Sequence, residues 1–133
     1  DPAHQYLEEA EQVLRDAGRL KRPELAGLVT PGLLRLAVET HLTEVAQRRL
    51  LEGGLDHDDA RQALDQAPRL QQRLALALYA DRRREDEALA WLGGIDPALL
   101  NLLTGLNAGT HNGASIEEAK RLRKQSKRLI DAV

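Results

Sequence analysis

Apolar residues recur along the chain at spacings of three and four, and nowhere do apolar and polar positions alternate over the length of a strand. That pattern predicts helices throughout. Tyr6, Leu7, Ala10, Val13 and Leu14 form one stripe of a helix over residues 3 to 17, with Gly18 as its stop. A basic linker reaches Pro23, and a short helical turn follows through Leu28. Thr30 before Pro31 reads as an N-cap followed by proline at the first helical position. The helix it opens, Pro31 to Leu51, is the longest predicted and is expected at the centre of the bundle, ended by Gly53 and Gly54. Within it, Leu42 shares a buried stripe with Val38 and Val45.

Asp56 caps the next helix, which is expected to reach Ala67 before Pro68 breaks the path. Leu70, Leu74, Leu76, Ala77 and Leu78 mark an apolar helix, and the charged run from Arg82 to Glu87 is expected to be exposed. Ala88 to Leu92 forms a short piece stopped by Gly93 and Gly94. Asp96-Pro97 repeats the cap-plus-proline signal ahead of a helix from Ala98 to Leu106. Ser115 and Glu118 have the spacing of a capping box for a last helix reaching Ala132. No period recurs, which argues against a solenoid. The predicted fold is an all-α, single-domain helical bundle over residues 1–133.

Composition narrows the chemistry. A chain of 133 residues can bury a core without staples. With no cysteine there are no disulfides and no thiolate zinc sites, and with no Phe or Met the core must be Leu, Ala and Val. No apolar run approaches the roughly 20 residues of a membrane span, and no signal-peptide pattern opens the chain, so the expected location is cytoplasmic. The first residues, Asp1-Pro2, lack a methionine, so the sequence reads as a piece of a longer protein. A net charge of −2 argues against a uniformly basic nucleic-acid binder but not against a local patch.

Five groups of residues can carry chemistry. His111 lies in a loop between two predicted helices, after Gly109 and before the turn dipeptide Asn112-Gly113. It is either a solvated loop side chain or an imidazole presented by the scaffold. Arg35 and Glu39, four apart on the long apolar helix, share a face and are expected to be partly desolvated. An ordinary salt bridge is the plainer account of them. Asp56-His57-Asp58-Asp59 resembles a ligand run, but acidic residues at a helix start complement the macrodipole, and no metal is assigned there. His41 is expected to be a satisfied core histidine. Lys120, Lys124, Lys127 and Arg128 share one broad face of the final helix, either solvated or turned toward RNA.

Together these residues resemble the HEPN family, all-α domains whose usual motif is Arg-Asn, three residues, His, just before the final helix. Here Asn107 and His111 have that spacing, while Leu106 stands where the arginine would be. The branch joined to ATPase domains, the anticodon nucleases of bacterial restriction and phage-defence systems, uses an Arg, three residues, Glu pair upstream and a later His. Arg35, Glu39 and His111 match that arrangement by type and order, and the resemblance covers about residues 30 to 132. It implies a metal-independent ribonuclease or toxin domain that needs no cofactor and acts on RNA such as tRNA. Arg35, Glu39 and His111 would be catalytic, with Asn107 in support. It also implies an ATPase domain or subunit as partner, and a homodimer in which two active-site histidines share one cleft. The alternatives are a HEPN-like module for binding or assembly without catalysis, and a plain helical interaction domain.

Overall fold

Asp1 opens the first helix with its own side chain, whose Oδ1 accepts the Ala3 N–H at 3.0 Å. In a computed structural model that describes residues 1–108 and 115–133, this is α1, Pro2–Arg19. It continues through Gly18, and the chain turns only at Leu20 and Lys21, where Lys21 takes a positive φ of 56°. Then come α2 (Pro23–Glu52), α3 (His57–Asp65), α4 (Leu70–Tyr79), a short 3-10 turn (Arg82–Arg84), α5 (Glu85–Ile95), α6 (Ala98–Ala108) and α7 (Ile116–Ala132). Every described element is helical, and the molecule is an all-α single-domain bundle.

The long central helix exists, but it starts eight residues earlier than Thr30-Pro31 predicts. α2 begins with Pro23 at its first turn and runs unbroken through Pro31 to Glu52, about 45 Å at 1.5 Å per residue. Thr30 is therefore not a cap. It is fully buried inside the helix, and its hydroxyl has no hydrogen-bond partner among the described residues. A proline in a helix interior costs roughly 3 kcal/mol. Burial opposes that cost here, because Ala26 and Thr30 on the first turns are both completely covered. Ala26 joins Leu14 and Ala17 of α1 and Ala119 of α7 in a small second core. Tertiary packing overrides the local signal.

Other boundaries shift for similar reasons. α3 stops at Asp65, two residues short of Ala67. α5 begins at Glu85 and does not stop at Gly93-Gly94 but runs on to Ile95. A Cβ at Gly93 would lie 3.2 Å from Leu100 Cδ1, so the glycine lets α5 and α6 approach closely. Three caps are where the sequence puts them. Asp56 Oδ1 accepts from Asp59 N–H at 2.8 Å, Asp96 Oδ1 from Ala98 N–H at 3.0 Å, and Ser115 Oγ from Glu118 N–H at 3.1 Å. Asp58 pairs with Arg61, so the Asp56–Asp59 run is accounted for as a helix start.

α2 is the axle. It packs against α1, α3, α4, α6 and α7, while α5 closes over α4 and α6. The main core is leucine interleaved with alanine. Leu34, Leu42, Leu70, Leu74, Leu92, Leu99, Leu102, Leu103, Leu106 and Leu129 are each under 2% exposed or nearly so. Leu42 and Val38 are completely buried, and Val45 packs on the same core from its edge. None of the helices in the described residues is long and apolar enough to cross a membrane.

Candidate functional site

Where α2, α4 and the end of α6 meet, the leucine core gives way to a polar cluster. Arg35 and Glu39 enter from α2, one turn apart, with Arg35 Nε 3.7 Å from Glu39 Oε2. Their side chains are about 30% exposed, as the apolar surroundings of α2 predict (28% and 34%). Arg35 does more than pair with Glu39. Its Nη1 donates to the Leu106 carbonyl and to Asn107 Oδ1, each at 3.2 Å.

Asn107 is held on every side. Its Oδ1 also accepts the Leu70 N–H at 3.4 Å, satisfying one of the orphan donors at the start of α4. Its Nδ2 donates to Gln71 Oε1 at 2.7 Å. One amide thus ties α6 to both α2 and α4. A half-buried amide with each end occupied has a fixed orientation, and it fixes the guanidinium that binds it.

The fourth member is Arg73 of α4, which the sequence reading does not single out. It is the most buried charge of the group, 17% exposed. Its Nε donates to the Ala67 carbonyl at 2.9 Å, and its Nη1 donates to Thr43 Oγ1 at 2.8 Å and to Glu39 Oε1 at 3.3 Å. Glu39 therefore stands between two guanidinium groups, one on each carboxylate oxygen. The one available signal for Arg73 is the logic used for Arg35: a lone cation in an apolar helix, here flanked by Leu70 and Leu74.

Two cations around one carboxylate leave a local excess of positive charge at a partly dry surface. The Nη2 atoms of Arg35 and Arg73 hydrogen-bond to none of the described residues. An oriented guanidinium with a spare N–H edge is suited to a phosphate or another oxyanion. His111, the third residue of the predicted catalytic set, lies outside the described residues. Asn107 is four positions before it in sequence.

Leu106, which stands where the family motif has arginine, turns its side chain into the core at 2% exposure. Only its carbonyl faces the cluster, and there it meets Arg35.

The four basic residues predicted on α7 are all exposed, but they divide into two pairs. Lys127 bonds Asp131 at 2.9 Å, and Arg128 reaches Asp96 at 3.2 Å, so both are engaged with carboxylates. Lys120, 3.8 Å from Glu117, and Lys124 line a groove between α1 and α7.

His41 is not the satisfied core histidine that its position suggests. Its Nε2 is buried with no hydrogen-bond partner among the described residues. Burial pushes the imidazole below its ordinary value of 6.5; nearby His4 and Arg48 act in the same direction, and Glu44 and Asp131 oppose it.

No family model, curated protein or solved structure matches the chain.

Proposed function

We propose that the Arg35–Glu39–Arg73–Asn107 cluster, completed by His111, is the active site of a HEPN-like ribonuclease domain that cuts RNA without a metal. The contact that carries this reading is Arg35 Nη1 to Asn107 Oδ1 at 3.2 Å. It joins the two short motifs, Arg-x-x-x-Glu and Asn-x-x-x-His, which stand 72 residues apart in the chain. Each motif alone is common; their meeting at one half-buried point is not required by either.

The chemistry follows from the groups present. A general base takes the proton of a ribose 2′-hydroxyl, whose oxygen attacks the adjacent phosphorus. The bond to the 5′-oxygen breaks, and a general acid protonates that leaving oxygen. The products are a 2′,3′-cyclic phosphate and a 5′-hydroxyl. An imidazole with an ordinary value of about 6.5 serves either transfer near neutral pH, which is the role of His111. Arg35 stabilises the charge that builds on the phosphoryl oxygens, being permanently protonated and already oriented by Asn107. Arg73 holds that orientation from α4 through Glu39, which stands between the two guanidinium groups. Arg35 approaches the Leu106 carbonyl, so α2 supplies the guanidinium that Leu106 does not.

The setting that fits is a toxin or phage-defence protein of the anticodon-nuclease kind. Its partners would be tRNA or other structured RNA, an ATPase domain or subunit, and a second copy of the domain. A second reading, a HEPN-like module that binds or assembles without cutting, is favoured by the buried side chain of Leu106. Incubation of the chain with a mixed tRNA pool in EDTA separates the two. Cleavage with cyclic-phosphate ends supports the nuclease. Bound but uncut RNA, in the chain and also in its ATPase-linked form, supports the binding module.

A further inference from the structure

α1 and α7 pack side by side through small residues, Ala17 and Ala119, and a groove of about 690 Å³ runs between them. Six cations line it: Arg15 and Arg19 from α1, and Lys120, Arg121, Arg123 and Lys124 from α7. Among the described residues two carboxylates line it with them, Glu11 and Glu117, and Asp16, outside the lining, pairs with Arg19 at 3.4 Å. The lining thus carries a formal +4 in a chain whose total is −2. Such segregation is what an acidic protein needs to attract a polyanion to one place.

The two carboxylates do not neutralise the groove. Glu11 is committed to Arg123 at 3.0 Å and lies 3.7 Å from Arg15, while Glu117 is 3.8 Å from Lys120. Arg121 and Lys124 form no ion pair with any described residue, and both are exposed. Four of the six cations are arginines, whose planar forks match phosphate oxygens in pairs. Among the described residues no aromatic ring lines the groove, so none of them offers bases an aromatic stacking platform.

We propose that the α1/α7 groove binds the sugar–phosphate backbone of RNA without regard to base identity. This deepens the ribonuclease reading by adding a substrate track, but it uses none of the side chains of the Arg35 cluster. Ile116, which lines the groove, follows Asn107 by nine residues, so the two sites lie within about 32 Å at roughly 3.6 Å per residue. A single RNA can therefore reach both.

The test is fluorescence anisotropy with a labelled 12-nucleotide oligouridylate, whose bases stack weakly, and polyglutamate as a second probe. The expected result is binding whose logarithm falls linearly with the logarithm of salt, by about 0.7 per phosphate neutralised. Arg121→Glu with Lys124→Glu should weaken RNA binding at least tenfold at 100 mM salt, and the neutral pair Arg121→Gln with Lys124→Gln should weaken it less and reduce the salt slope. Both positions are solvent-facing, so the melting temperature should hold, and Arg83→Glu on the distant 3-10 turn should change nothing. Unchanged RNA binding in both double variants would overturn the proposal. So would binding of polyglutamate without RNA, which would make the groove a dock for an acidic protein. If the wild-type chain, alone and joined to an ATPase partner, binds RNA through these residues yet never cuts it, the nuclease reading falls and the groove stands.

Discussion

Arg35 and Asn107, 72 positions apart, meet through a hydrogen bond of 3.2 Å between a guanidinium and an amide oxygen. The same oxygen accepts the first N–H of α4, so a single atom joins the long helix, the fourth helix and the end of the sixth. The contact has a structural cost if broken. Asn107→Ala leaves the Leu70 N–H and one Arg35 donor without a partner in a half-buried place, at an expected loss of about 1–3 kcal/mol. Asn107→Asp keeps the oxygen that accepts both bonds and should lose less. Urea titrations of the two variants check the order, and equal losses would mean that the oxygen is not what matters.

Leu42 tests the core. It is completely buried on the axle helix among other leucines and alanines, and Leu42→Ala is expected to cost roughly 2–5 kcal/mol. A denaturation midpoint that barely moves would show that the central face of α2 lies elsewhere.

His41 gives the fold a pH dependence of known sign. Burial lowers its proton affinity below the ordinary 6.5, so on acidification the unfolded chain takes up this proton before the folded chain does. Its contribution to stability is complete above about 6.5 and is lost as pH falls from there through the lower folded value. His4 on α1, Glu44 and Arg48 on α2 and Asp131 on α7 surround it. The informative quantity is therefore a difference. Between pH 7.5 and 5.5 the wild-type thermal midpoint should fall more than that of His41→Leu, and parallel curves would remove His41 as the cause.

Much of the bundle is legible in the sequence because caps are local. Asp56, Asp96 and Ser115 each bond a backbone N–H two or three residues away, and such contacts need no knowledge of the fold. Thr30-Pro31 carries the same local signal and misleads, since the burial of Ala26 and Thr30 keeps the helix going on both sides of the proline. Gly93 misleads in the same way, being a point of close approach to Leu100 and not a stop. Arg35 and Glu39 are legible as a pair because their spacing is helical. Arg73 is not, because its contacts with Glu39 and Thr43 cross from one helix to another over 30 or more residues. The groove escapes for the same reason: Arg15 and Arg19 join the α7 cations only once α1 lies against α7.

Arg35 also holds α6 in place, so truncating it to alanine would confuse catalysis with folding. Arg35→Lys keeps a positive charge and loses the planar fork, and His111→Ala removes the imidazole. The most direct measurement is the single-turnover rate of RNA cleavage in EDTA for these two variants, taken with their thermal melts. Both are expected to cut at least about 100-fold more slowly than wild type, with melting temperatures within a few degrees of it, and the double variant should be hardly worse than either. Wild-type rates in both folded variants would contradict the assignment of this cluster as a nuclease site.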